Sequence, residues 1–239
     1  MEVKPDIQSA ESKKTQVEHM FDSISPKYDF LNHTLSLGID KIWRRKTIDK
    51  LKAINPKKIL DVATGTGDLA IEALRLNPDQ IIGIDISEGM MAVGREKIKK
   101  AGISKIWLEK GDSENLKYSD NEFDAVTVAF GVRNFENLEK GLKEMNRVLR
   151  VGGITAILEF SKPVSFPFKQ GYNFYFSNVL PFVGKLFSKN SKAYTYLPKS
   201  VSAFPDGNDF IKIMTRCGYL DCKEKRFMFG ICTLYTASK

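Results

Sequence analysis

Apolar residues recur at three- and four-residue spacing early in the chain, where Val17, Met20, Phe21 and Ile24 share one face of a helix predicted over 12–25. Residues 1–11 are polar and predicted to fray. Pro26 predicts a break, so 26–38 reads as a loop rich in apolar and amide side chains. Asp40 can cap a second helix reaching about residue 53, with Ile42, Trp43, Thr47, Ile48 and Leu51 on one side.

From Lys58 the period changes. Short apolar runs at 59–62, 81–85, 105–109, 123–129 and 154–160 read as strands buried on both faces. Helical patterns separate most of them. One covers 68–76, one follows the capping Ser87 to about residue 100, and one spans 138–149 with Leu142, Met145, Val148 and Leu149 inward. Gly152 and Gly153 are read as ending that last helix. A helix at 209–217 and a hairpin of 227–229 with 233–236 around Gly230 complete the pattern. Strands alternating with helices demand right-handed crossovers and a parallel sheet. The expected fold is α/β: a doubly wound, seven-stranded, mostly parallel sheet with one antiparallel pair. We divide a single domain, 1–239, into an N-terminal helical lid (12–53), a cofactor-binding core (58–160), an aromatic basic insert (161–205) and a C-terminal helix and hairpin (206–239).

Composition narrows the class. At 42% hydrophobic and 28% charged, the 239-residue chain is that of an ordinary globular protein. No run approaches ~18 apolar residues, so no membrane-spanning helix is expected. Residues 1–6 hold no apolar segment, which predicts no secretory leader and a cytoplasmic location. Cys217, Cys222 and Cys232 form no C-x-x-C pair, and only His19 and His33 accompany them, so neither a disulfide framework nor a metal site is expected. The net charge of +8 suggests an anionic partner, and its location matters. Residues 160–205 contain no Asp or Glu, but six lysines (162, 169, 185, 189, 192, 199) and twelve aromatics, including Phe166, Phe168, Tyr172, Phe174, Tyr175, Phe176, Phe182 and Phe187. The rest of the chain has 31 basic and 29 acidic residues, close to neutral.

The strongest motif is Asp61-Val62-Ala63-Thr64-Gly65-Thr66-Gly67-Asp68, a glycine-rich turn from the first strand into its helix. Without a Cβ, such a turn lets a ligand approach backbone N–H groups. Asp85 ends the second strand, where a carboxylate can accept both hydroxyls of a ribose. Gly65-Thr66-Gly67 also begins a dinucleotide-type pattern. However, Asp61 would repel a pyrophosphate and suits a cationic ligand such as the ammonium of S-adenosylmethionine. Gly111-Asp112-Ser113, after the third strand, can offer a carboxylate and an N–H to an adenine edge. Together Asp61, Gly65, Thr66, Gly67, Asp85 and Asp112 resemble the cofactor set of class I methyltransferases. The alternative for any one of them is a turn glycine or a helix-capping Asp.

Absences narrow the acceptor. The position after the fourth strand reads Ala129-Phe130-Gly131-Val132-Arg133-Asn134, not the Asn/Asp-Pro-Pro-aromatic turn used on nucleobase amines. No cysteine sits where a pyrimidine-attacking nucleophile would be needed. The acid-free aromatic insert suits a hydrophobic substrate near an anionic surface, although some of its aromatics are core.

Three blocks carry a more specific similarity across nearly the whole chain: 28–38 (Tyr-Asp-Phe-Leu-Asn-His-Thr-Leu-Ser-Leu-Gly) leading to Trp43-Arg44; 129–134; and Arg147-Val148-Leu149 with Gly152-Gly153 and Leu158-Glu159-Phe160-Ser161-Lys162-Pro163. In these the chain resembles the C-methyltransferases of ubiquinone and menaquinone biosynthesis. The resemblance implies transfer of a methyl group from S-adenosylmethionine to a ring carbon of a prenylated quinol. The leading expectation is demethylmenaquinol; the equivalent benzoquinol and an RNA methyltransferase are the alternatives, and a donor-binding scaffold or a nicotinamide enzyme stand behind them. It also implies donor contacts at Thr66, Asp85, Asp112 and Ser113. Asp40 stands where many members have His, Ala129 where Ser is frequent, and Arg150-Val151 where Lys-Pro is usual. Candidate catalytic residues are Arg133, to stabilise a developing phenolate or position a proton-accepting water, with Glu159 and His33 as further bases. Their alternatives are a loop brace, a structural ion pair and a satisfied loop histidine. Tyr28 and Asn32 are expected to close over the substrate. No nucleic-acid partner is expected, peripheral contact with the inner face of a membrane is, and a homodimer is compatible with the sequence.

Overall fold

The computed structural model describes residues 3–174 and 191–239. Tyr175, Phe176, Phe182, Lys185, Phe187 and Lys189, singled out above, lie outside the described residues, as do the side chains of Phe174, Lys192 and Tyr194.

Seven strands pair in the order β3-β2-β1-β4-β5-β7-β6. They are β1 (Lys58–Val62), β2 (Gln80–Asp85), β3 (Ile106–Lys110), β4 (Phe123–Ala129), β5 (Leu149–Phe160), β6 (Leu220–Phe227) and β7 (Cys232–Ser238). The first five run parallel, and β7 is antiparallel to both its neighbours. The doubly wound sheet expected from the strand–helix alternation is therefore present, and β7 alone is reversed. The described helices are α1 (Lys13–Leu35), α2 (Ile39–Asp49), α3 (Asp68–Ala73), α4 (Glu88–Lys100), α5 (Leu138–Val148), α6 (Phe168–Phe174), α7 (Ser191–Ala203) and α8 (Asn208–Arg216). None of them is long and apolar enough to cross a membrane.

Successive side chains of a strand point to opposite faces, which explains why the central strands are apolar throughout. Leu60, Val62, Val126 and Val128 pack against Leu142 and Met145 of α5 and Phe210 and Met214 of α8. Ile59, Ile81 and Ala125 face the other way, onto Trp43 and Ile48 of α2 and Leu69 and Ala73 of α3. Helix α1 adds a smaller cluster, in which Val17 and Met20 meet Tyr196 of α7.

Four sequence expectations need correction. The stretch 26–38 is mostly helix, because α1 runs through Pro26 to Leu35. Proline cannot donate to the carbonyl four residues back; here the Ser25 hydroxyl donates to that Asp22 carbonyl at 2.9 Å. Asp40 does not cap α2: Gly38, left-handed at φ +75°, makes the corner, and Asp40 lies inside the first turn with its carboxylate buried. Gly152 and Gly153 lie within β5, which starts directly after α5. A Cβ on Gly153 would sit 2.8 Å from the Asp124 carbonyl oxygen, so only glycine lets the two strands approach here. Finally, the terminal hairpin is longer than its apolar residues suggest. β6 is an edge strand whose Lys223, Glu224, Lys225 and Arg226 are all exposed, so it shows no apolar alternation.

After β1 the chain winds through β2 and β3 on one side, then crosses to β4 and β5 on the other. The carboxyl ends of β1 and β4 flank that reversal, the usual ligand edge of an open α/β sheet.

Candidate active site

A cleft open to solvent lies at this edge. Its floor is the β1–α3 turn. Gly65 (φ +57°) and Gly67 (φ +82°) occupy the left-handed region that glycine permits. Ala63 (φ +52°) and Phe130 (φ +59°) occupy it too, which strains the backbone at the ends of β1 and β4. The two ends touch: a Cβ on Gly131 would lie 2.6 Å from that of Ala63.

Asp85 sits at the end of β2 and lines the cavity. Its carboxylate accepts the Gly65 N–H at 2.8 Å and the Ser87 N–H at 2.9 Å. Burial pushes its pKa up to about 6, against the pull of those N–H groups. Each carboxylate oxygen keeps a second lone pair, so two ligand hydroxyls can still be accepted. Asp112 and Ser113 line the far end, with Ile86 and Met90 providing apolar surface between. Asn134 lines the cavity from the turn after β4, and its buried Oδ1 has no hydrogen-bond partner among the described residues.

The other glycine-loop residues lie behind the wall. Asp61 is 1% exposed and accepts the hydroxyls of Thr64 at 2.6 Å and Thr127 at 2.7 Å. Burial raises its pKa to about 6. The Thr66 hydroxyl donates to Asp29 of α1 and accepts from Lys97 of α4 at 3.2 Å. The Lys97 ammonium also binds Asp29 at 2.8 Å and Asp68, fastening α1 to the glycine loop.

Helix α1 roofs the cavity through Lys14, Val17, Phe21 and Tyr28. The Lys14 ammonium reaches Asp112 at 2.7 Å, and that of Lys13 donates to the Phe135 carbonyl at 2.7 Å. Tyr28 packs edge-on against Phe21. Burial raises its hydroxyl pKa, while the positive fields of Arg44 and Arg133 oppose the rise. One turn on, the buried Nδ2 of Asn32 has no partner among the described residues.

Next to the cavity, behind Phe130, Arg133 and Glu159 form a buried ion pair at 2.6 Å. Glu159 also accepts the Phe160 N–H at 2.8 Å, and burial still raises its carboxyl pKa. The guanidinium donates to the Phe130 carbonyl and lies 5.4 Å from the centre of the Phe160 ring. Its Nε is buried without a partner among the described residues. Tyr172 of α6 lies close enough to Arg133 and Glu159 for both to act on its hydroxyl.

His33 sits apart from the cavity wall. Its Nδ1 is 2.8 Å from Asp40, and its Nε2 is 3.6 Å from Asp68. These three side chains have metal-ligand spacing. Arg44, however, pairs with Asp40 and lies 3.6 Å from Asp68, so a guanidinium already supplies the positive charge. Burial pushes the Asp40 pKa up, but the Ser36 hydroxyl, Arg44 and His33 outweigh it and hold it below the usual carboxylate range.

The structure thus gathers Gly65, Asp85, Asp112, Ser113 and Tyr28 at one cavity, and Arg133 with Glu159 beside it. Asp61, Thr66, Gly67 and His33 are set back. Sequence reasoning did not single out Lys14 or Asn134. Asn134 lay within a quoted block, whereas Lys14 is one lysine among many on an amphipathic helix and carried no signal.

Residues 9–239 match the family described as ubiE/COQ5 methyltransferase. The chain is 56% identical over 229 residues to a demethylmenaquinone methyltransferase of Bacteroides fragilis, covering 95% of this chain and 94% of that one. It is 45% identical over 230 residues to a ubiquinone/menaquinone biosynthesis C-methyltransferase of Geobacter sulfurreducens, covering 95% and 90%. Among solved structures, a SAM-dependent methyltransferase of Thermotoga maritima, described as a possible histamine N-methyltransferase, superimposes with a TM-score of 0.65. At 18% identity, over 92% of this chain and 99% of that one, it shares the fold.

Proposed function

The chain belongs to the ubiE/COQ5 methyltransferase family, and from that premise we propose that it methylates a ring carbon of demethylmenaquinol with S-adenosylmethionine as donor. The observation that carries the acceptor side is the buried Arg133–Glu159 pair, with an unpartnered guanidinium N–H beside the cavity. A naphthoquinol is favoured over a benzoquinol because the 56%-identical relative is named for the menaquinone step alone.

The chemistry of the cleft lining suits the donor. Asp85 would hold the ribose hydroxyls, Asp112 and Ser113 the adenine edge, and Gly65 the chain close to the backbone. The unpartnered Asn134 Oδ1 offers an acceptor that no protein group uses. When bound, the donor supplies an electrophilic sulfonium methyl. The protein must make the acceptor ring electron-rich and keep water away. Arg133 does the first, because a fixed, buried positive charge lowers the energy of a quinol oxygen as it becomes a phenolate. Glu159 fixes that guanidinium and, with its raised pKa, can hold a proton in the same place. Asn32 Nδ2 is a second donor for a ring oxygen, and Tyr28 and Tyr172 close the space from α1 and α6. His33 reads as a brace between α1 and α2, since its ring is engaged by Asp40 and lies away from the wall.

The test is methyl transfer to a reduced, short-chain demethylnaphthoquinol, followed by mass spectrometry. The reading expects one added ring methyl with the quinol and none with the oxidised quinone. Transfer to RNA, or to a benzoquinol only, would overturn it.

A further inference from the structure

Five of the twelve large apolar side chains most exposed among the described residues gather at one place: Val164 (75%), Phe166 (80%), Phe168 (38%), Met228 (43%) and Phe229 (61%). Scattered exposed apolar residues are ordinary, but a cluster marks an interaction surface. Phe168 and Phe229 stack with ring centres 3.5 Å apart. The tip of the β6–β7 hairpin also holds its side chains outward against backbone preference. Met228 (φ +46°) and Phe229 (φ +58°) are bulky residues in the left-handed region. The tip is anchored to the chain leaving β5: Ser161 donates its hydroxyl to the Gly230 carbonyl at 2.7 Å and its N–H to the Ile231 carbonyl at 3.0 Å. β6 and β5 run in the same direction, so this tip lies at the carboxyl edge of the sheet. That is the edge that carries the cavity, and the patch begins a few residues beyond Glu159.

The carboxylates near the patch, Asp206 and Glu224, are paired with Lys162 and Arg226, and the charge left over is positive. Lys46 of α2 lies 5.4 Å from the Phe227 ring centre at the base of the hairpin, and Lys169 follows Phe168. Both are exposed and neither has a carboxylate partner among the described residues.

We propose that this hairpin-tip patch docks the protein on an anionic lipid bilayer, with Phe166, Met228 and Phe229 inserted at the headgroup boundary and Lys46 and Lys169 above it. Aromatic and Met side chains suit that boundary, and flanking lysines add attraction to acidic headgroups. A second copy of the chain is a poorer occupant, because two-fold pairing of a patch whose unpaired charge is all positive would bring lysines toward lysines. The proposal rests on the prenylated-quinol reading for its purpose: a lipid acceptor would pass from the bilayer to Arg133 along the same edge.

The experiment is flotation with phosphatidylcholine vesicles, with and without phosphatidylglycerol. The wild-type protein should float with the acidic vesicles, less so at high salt. The Phe166→Asp/Phe229→Asp variant should bind about tenfold more weakly or worse, since two apolar anchors are lost. Val151→Asp, at a 78%-exposed site toward the opposite end of β5, should bind as wild type. Asp tolerates a left-handed backbone, so the variant should fold; Met228→Asn/Phe229→Asn, with both residues equally suited there, repeats the test if it does not. The proposal is overturned if wild type does not float, if the paired variants float equally well, or if Phe229→Asp instead turns a wild-type dimer into a monomer. Methylation of a water-soluble quinol without vesicles reads the proposed function separately and should be unchanged in the patch variants.

Discussion

Replacing Arg133 by Met tests the core of the site. The Arg133 side chain is 7% exposed and that of Glu159 is 0% exposed, at 2.6 Å separation. Water therefore cannot compensate a lone charge, and removing one member of such a pair costs about 3–5 kcal/mol. The loss should depend on pH in a defined sense. Burial already raises the Glu159 carboxyl, and Arg133 is the leading opposing influence, so its removal raises the folded-state pKa further. The unfolded chain then ionises first, near the ordinary value of about 4.3. Stability is lost as pH climbs from there through the folded-state pKa, by about 1.4 kcal/mol per unit of separation. Urea denaturation at pH 5 and pH 8 reads this directly. Arg133→Met should be clearly weaker at pH 8 and closer to wild type at pH 5. Arg133→Met/Glu159→Gln should recover most of the stability at pH 8 but none of the methyl transfer. A single variant within about 1 kcal/mol of wild type at both pH values would refute the buried-pair reasoning. Restored turnover in the double variant would remove Arg133 from contact with the acceptor.

Three further outcomes follow from the geometry. The Asp85 carboxyl, pushed up to about 6, should give donor affinity that is full above that pH and falls below it as the carboxylate is neutralised; calorimetric titrations from pH 5 to 8 would contradict this if flat. Lys14→Gln removes a partly exposed ion pair between the α1 roof and Asp112, worth about 0.2–1 kcal/mol, so demethylated donor should leave up to about fivefold faster in stopped-flow traces, with the difference shrinking at high salt. In Gly94→Ala the new Cβ would lie 2.6 Å from Leu108 Cδ1 and 3.0 Å from the Thr66 carbonyl, forcing α4 off the glycine loop; a loss of about 1–3 kcal/mol in thermal unfolding and weaker donor binding are expected, and an unchanged protein would disprove the contact.

What the sequence made legible is what depends on period and backbone. Central strands buried on both faces show as apolar runs, and left-handed turns show as Gly65 and Gly67. Sequence pattern ends α1 at Pro26, normally a stop, whereas in the fold the helix continues with the Ser25 hydroxyl on the Asp22 carbonyl that proline leaves without its N–H. Most of β6 is invisible to the apolar pattern, because an edge strand with both faces exposed has no reason to alternate. In the site, Asp85 and Asp112 were found because strand ends dictate their positions. The seclusion of Asp61, held by two threonine hydroxyls, and the engagement of His33 by Asp40 depend on contacts between distant elements. Lys14 meets Asp112 across 98 residues of sequence, a pairing that no local pattern encodes.

The charged edge strand also bears on how copies of this protein can meet. A free strand edge is a template for another chain, and backbone pairing there would extend the sheet from one molecule to the next. Along β6, any such pairing would strip water from four consecutive ionised side chains, Lys223 to Arg226, and could not offer each an opposite charge in every register. The sheet is thus terminated chemically as well as topologically. Copies packed side by side at high concentration would therefore keep their sheets separate rather than joining edge to edge into a fibre.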